Sequence, residues 1–71
     1  MDRNRFLALA SRYACGEKVT VRCDGIEYYP INYTIEPKPG GVWQHTVKLK
    51  DTKAHESYRY EKLEKIEEET T

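Results

Sequence analysis

The sequence predicts an α+β domain: an N-terminal helix followed by a small, strongly curled antiparallel sheet of four to five strands. Three observations predict it. Apolar residues recur at helical spacing near the start, the period then drops to two for most of the chain, and turn-forming pairs rich in Gly and Pro separate the runs. With 71 residues the chain makes a single domain, 1–71, whose folding removes only about 60% of the unfolded surface from water. Its core is therefore small.

The helix is expected over about residues 4–14, where Phe6, Leu9, Ala10 and Tyr13 stand at i, i+3, i+4 and i+7 and form one stripe. Asp2 or Asn4 caps its start, and Gly16 ends it in a left-handed conformation. Antiparallel strands are expected over about 17–66. In "EKVTVRCDG" Val19, Val21 and Cys23 share a face, with Lys18, Thr20 and Arg22 opposite. Asp24-Gly25 is a two-residue hairpin turn. In "IEYYPINYTIE" the residues Tyr29, Ile31, Tyr33 and Ile35 share one parity and Ile26, Tyr28 and Pro30 the other. Pro30 cannot donate to a ladder, so it is expected at an edge, at a bulge or where the strand bends; a bent strand that flips its buried parity would use apolar residues on both faces. "PKPGG" is a turn, and "VWQHTVKLK" a third strand with Trp43, His45, Val47 and Leu49 facing inward. After the polar "DTKAHE", Tyr58 and Tyr60 alternate. Leu63 and Ile66, three apart, suggest a short helical turn or an irregular last strand. Residues 67–71 are expected to be a frayed acidic tail. A curled sheet of this kind, preceded by a helix, has the form of an SH3-like barrel.

Only 38% of residues are apolar, and the chain has six Tyr, one Phe and one Trp. The rings are therefore expected to close the core in place of aliphatic side chains. The cluster "GIEYYPINY" then reads as architecture more than as a gripping surface.

The net charge is zero but unevenly placed. Residues 1–23 hold five basic and two acidic side chains, whereas residues 61–71 hold two basic and five acidic. Phosphate-binding domains usually carry a basic excess, so the balance weighs against nucleic acid without excluding a local patch. No apolar run approaches the roughly 20 residues needed to span a bilayer, and arginines break the opening segment too often for a signal peptide. A cytoplasmic protein with no membrane contact is expected. Cys15 and Cys23 fit as free thiols there, or as one disulfide if the chain meets oxidant.

No cofactor and no catalysis are expected. The metal-ligand types are Cys15, Cys23, His45 and His55, spaced too widely for the close pairs of a zinc site. His45 reads as buried beside Trp43, and His55 as part of a solvated loop. A Cys23–His45 pair would meet only if their strands were neighbours, and a buried thiol is inert without an electropositive setting.

Two binding readings remain. The first is a non-catalytic, accessory or regulatory protein-interaction module of unidentified partner, with Tyr28, Tyr58 and Trp43 as the surface; aromatic residues favour interface centres. The chain would be a monomer or weak homodimer. The second is weak nucleic-acid binding by a lysine and tyrosine face. Its candidates are Lys48, Lys50 and Lys53, and separately Arg3, Arg5 and Arg12 on the helix. Against it, outward lysines protect sheet edges, and the helix arginines have the glutamate tail to pair with.

In their order, "YYPINY", "GGVWQHTVKLKD" and "YEKLEKIEE" resemble small proteins of Gram-positive bacteria and their phages or mobile elements, over roughly Gly25 to Glu68. Trp43 followed by "LEKI" is also similar to the WYL regulatory domain, an SH3-like or Sm-like barrel in which a Trp strand precedes an "LDRI"-like ending. Here Gln44 and His45 stand in place of that family's Tyr and Leu. The resemblance implies a barrel and carries over no ligand-binding residue.

Overall fold

A computed structural model describes residues 1–54 and 56–68. It has one helix and a five-stranded antiparallel sheet: α1 (Arg3–Ala14), β1 (Val21–Cys23), β2 (Ile26–Lys38), β3 (Val42–Asp51), β4 (Tyr58–Lys62), a 3₁₀ turn (Leu63–Lys65) and β5 (Glu67–Glu68). The strand order is β4-β3-β2-β1-β5. β4 and β5 are the two edges, and among the described residues no ladder joins them. The expected α+β arrangement of one helix and an antiparallel sheet is present, and the sheet is open among the described residues. The expected tail is corrected in part: Glu67 and Glu68 pair with Arg22 and Val21 of β1, and its remainder lies outside the described residues, as does His55.

Helix α1 forms where the apolar stripe lies. The Asp2 side chain accepts from the Arg5 N–H at 3.3 Å, satisfying one of the donors a helix leaves unpaired at its start. At the other end Gly16 has φ +99°, and the Glu17 N–H donates to the Arg12 carbonyl at 3.1 Å, the arrangement by which a left-handed residue stops a helix. Phe6 and Leu9 are buried, with Ala10 packed against them, while Tyr13 stacks on Tyr29 with ring centroids 4.8 Å apart.

The β1–β2 turn is at Asp24-Gly25. Both residues have positive φ, +54° and +77°, the backbone a two-residue hairpin requires for its twist to match the strands. The second irregularity is at Ile31. The β2–β3 register runs Pro30 to Leu49 and then Asn32 to Lys48, leaving Ile31 unpaired. One extra residue on one strand inverts the facing of the residues after it. Tyr28 and Pro30 are therefore buried before the bulge, and Tyr33 and Ile35 take the inner face after it, opposite Val47 and His45.

The core consists of Phe6, Leu9, Val21, Cys23, Tyr28, Val47, Leu49, Leu63 and Ile66. Tyr28 is its one tyrosine, which overturns the expectation that the rings close it. Tyr13, Tyr29 and Tyr33 are half-buried, and Tyr58 and Tyr60 are exposed. The aliphatic residues and Phe6 hold the domain. The physical reason is reach: twelve helical residues make a rod of about 18 Å, whereas the thirteen of β2 extend about 40 Å. The helix covers only part of the inner face, and the rest of the hairpin projects past it, giving principal extents of 38 × 22 × 20 Å.

Candidate interaction surface

Beyond residue 46 of β3 the sheet narrows. β4 pairs with Thr46–Lys50 and β1 pairs with Ile26–Tyr28, so among the described residues the distal hairpin is two strands wide. Its inner face continues the core parity: Tyr33, Ile35 and Pro37 lie opposite Val47, His45 and Trp43. Without the helix above them Ile35, Pro37, Trp43 and His45 meet solvent, whereas Tyr33 is half-buried and Val47 buried. Trp43 is 60% exposed and Val42 62%, with Ile35 also exposed. Trp43, Ile35 and His45 line a shallow apolar depression, and a groove bounded by Met1, Val42, Trp43, His45 and Leu63 runs from it toward the 3₁₀ turn. His45 is not buried as expected: its Nδ1 is hydrogen-bonded to the Tyr33 hydroxyl, and the two rings stack at 5.8 Å.

The outer face of β3 and β4 is different in character. Lys50 faces Tyr58, Lys48 faces Tyr60, and Thr46 faces Lys62. The Lys48 ammonium stands 4.5 Å from the Tyr58 ring centroid and 5.9 Å from that of Tyr60, within cation–π range of both.

The proposed surface of Tyr28, Tyr58 and Trp43 is not one surface. Tyr28 is buried and accepts a hydrogen bond from Arg59 Nη1 at 2.9 Å. Tyr58 is on the outer face and Trp43 on the inner. The six basic candidates are likewise split. Lys48 and Lys50 stand together, whereas Lys53 lies in the loop after β3. On α1, Arg5 binds Glu68 through Nε at 2.7 Å and through Nη2, and Arg12 pairs with Glu17 at 2.9 Å. Arg3 is exposed. Pairing of a helix arginine with the terminal glutamates was legible from charge order alone.

A third cluster was not anticipated. Arg59 Nη2 bonds the carboxylates of Asp24 at 2.8 Å and Glu61 at 2.7 Å, and Cys23 Sγ stands 3.9 Å from Asp24. The thiol and the two carboxylates lie within 4.8 Å of one another, but the guanidinium occupies the place a cation would take. These bonds push the Arg59 pKa further up, and burial pushes that of the Cys23 thiol up, which keeps it protonated and unreactive. No local signal marks Arg59: it is the pairing of Arg59 with Leu49 that turns it to the inner face. Cys23 and His45 do not meet. They lie opposite Ile26 and Ile35, nine residues apart on β2 and on the order of 30 Å distant.

Among the described residues no helix is long and apolar enough to cross a membrane. Comparison with protein-family models, curated proteins and solved structures finds no match.

Proposed function

We propose that the chain is a non-catalytic interaction module that docks an apolar segment of a partner protein on the inner face of its distal hairpin. One observation carries the reading: Trp43 is 60% exposed and Ile35 41%, on the same face of the hairpin that, a few residues further along β3, supplies the buried Val47 and Leu49. A sheet face of core composition is ordinarily covered by a second layer, and α1 is too short to cover this one. Large exposed apolar residues in one contiguous patch are a mark of interaction sites.

We further read the sheet as curled in the SH3-like manner. Four inter-strand spacings of about 4.8 Å would part the edges of a flat five-stranded sheet by about 19 Å. The steps from Lys62 to Glu67, three of them in a 3₁₀ turn rising about 2 Å per residue, reach about 13 Å. A short link between opposite edges favours bending. A cytoplasmic setting is supported by the two unbridged cysteines.

Selection of displayed random peptides on the immobilised chain tests the docking reading. Peptides with apolar or aromatic anchors are expected to enrich, to lose binding with Trp43→Ala, and to blue-shift the emission of the single tryptophan. Enrichment that survives Trp43→Ala overturns it, as does failure to enrich. A concentration-dependent blue shift in the chain alone would assign the ledge to a second copy.

A further inference from the structure

We infer that the outer face of β3 and β4 binds single-stranded nucleic acid, at a site separate from the Trp43 ledge. The whole-chain charge of zero conceals how the sheet sorts its charges. On β4, Tyr58, Tyr60 and Lys62 face outward, opposite Lys50, Lys48 and Thr46. Glu61 has the other parity, faces Val47, and is taken by Arg59 and by Lys65, at 2.7 and 3.7 Å. Across the ladder, β2 sets Asn32 opposite Lys48 and Thr34 opposite Thr46. The outer face thus holds lysines, tyrosines and neutral polar residues around Lys48 and Lys50, and carboxylates at its distal end, where Glu36 and Glu61 line a depression with Thr46, Tyr60 and Lys62. Among the described residues Lys48, Lys50 and Lys62 make no ion pair.

Protection of an edge does not account for these lysines. Edge strands carry charge to discourage pairing with other chains, but Lys48 and Lys50 are on β3, which is flanked by β2 and β4.

The rings select the polyanion. Tyr60 is 66% exposed and Tyr58 48%. Two residues along a strand separate them by about 6.8 Å, twice the rise of about 3.4 Å per nucleotide in a stacked duplex, so neighbouring bases reach both rings only in a strand drawn out of its stack. An extended strand can therefore seat bases on both rings while its phosphates lie beside the ammonium groups. Lys48, now over both rings, moves the short distance to a phosphate and frees a ring face for stacking. A duplex offers no unstacked base to the rings. An acidic peptide would satisfy the lysines and leave the rings without stacking partners.

Fluorescence anisotropy of a labelled mixed-sequence DNA or RNA strand of about twelve nucleotides, long enough to fill such a platform, tests the inference. Binding is expected at about 50 mM salt and should weaken about 20-fold by about 200 mM, as three phosphate contacts on a single strand require. Tyr60→Ala is expected to lose about tenfold while its urea unfolding midpoint stays near wild type. Lys48→Glu with Lys50→Glu removes binding, and Trp43→Ala leaves it intact, so failure here is distinct from failure of the docking reading. Absence of binding at the lower salt overturns the inference, as does indifference to Tyr60→Ala. A duplex of the same length binding as well as the single strand overturns it too, and equal binding of a polyglutamate peptide reassigns the face to acidic proteins.

Discussion

Arg59 and Tyr28 are joined across the inner face of the sheet: the guanidinium donates to the phenol oxygen at 2.9 Å and stands 5.7 Å from the ring centroid. The same guanidinium ties down Asp24 and Glu61, so one side chain of β4 holds the β1–β2 turn, the core tyrosine and its own strand. Arg59→Ala leaves the buried phenol without its donor and takes from the mostly buried Glu61 carboxylate the shorter of its ion pairs, leaving the 3.7 Å pair to Lys65. The expected loss is about 1–3 kcal/mol by urea unfolding. Arg59→Lys recovers little, because an ammonium cannot serve three acceptors in this fork geometry.

Stability should fall in acid, and the sign follows from the carboxylates. The Lys62 N–H and the Arg59 guanidinium hold Glu61 below its ordinary value of 4.5, the bond from Arg5 does the same for Glu68, and the N–H groups of Lys53 and Ala54 hold Asp51 below 3.8. Each group binds its proton less readily folded than unfolded. Its contribution is thus fully present above the unfolded value and is lost as pH drops through the folded one. Urea midpoints are expected to be level from neutrality down to about pH 5 and to decline below it. Glu61→Gln should flatten that decline; an unchanged slope would sink the assignment.

The two cysteines should behave as opposites. Cys15 is exposed at the end of α1, whereas Cys23 has no accessible surface. An aromatic disulfide reagent at mild alkaline pH is expected to titrate one thiol promptly and the second only at the rate of global opening, accelerated by urea. Cys15→Ser should abolish the fast phase alone.

Trp43 and Leu49 share a strand and a face but not a fate. Leu49→Ala empties part of the core and is expected to cost about 2–5 kcal/mol, enough to unfold much of so small a domain. Trp43→Ala should change stability by less than about 0.5 kcal/mol, despite removing the largest side chain in the protein. Wild-type tryptophan emission close to that of the free residue in water accompanies this prediction.

Local chemistry in the sequence was a sound guide to local structure. The stripe Phe6, Leu9 and Ala10, the stop at Gly16, the turn at Asp24-Gly25 and the parity switch after Pro30 all depend on neighbours a few residues away, and each has its counterpart in the fold. What alternation does not convey is how far the covering layer extends. Trp43 and His45 carry the same inward parity as Val47 and Leu49, yet only the latter pair is buried, because burial depends on the length of α1. The tyrosines misled for a related reason: a phenol suits either a core or a wet face. Only the pairing of Tyr58 with Lys50 and of Tyr60 with Lys48 decides which. Arg59 escaped notice because its partners Asp24 and Tyr28 are more than thirty residues away in the chain.

The narrowing of the sheet beyond Thr46 divides its backbone amides into two populations. Those of Val47 and Leu49 lie between neighbouring strands and beneath the helix, and can trade their protons with solvent only when the entire molecule opens. Those of Thr34 to Glu36, Lys38 and Val42 to His45 belong to an isolated two-stranded ribbon, a structure only marginally stable by itself. They should exchange through brief fraying excursions, and the arrival of a covering layer would be recorded there first, as amide protection spreading outward from the bulge toward the tip.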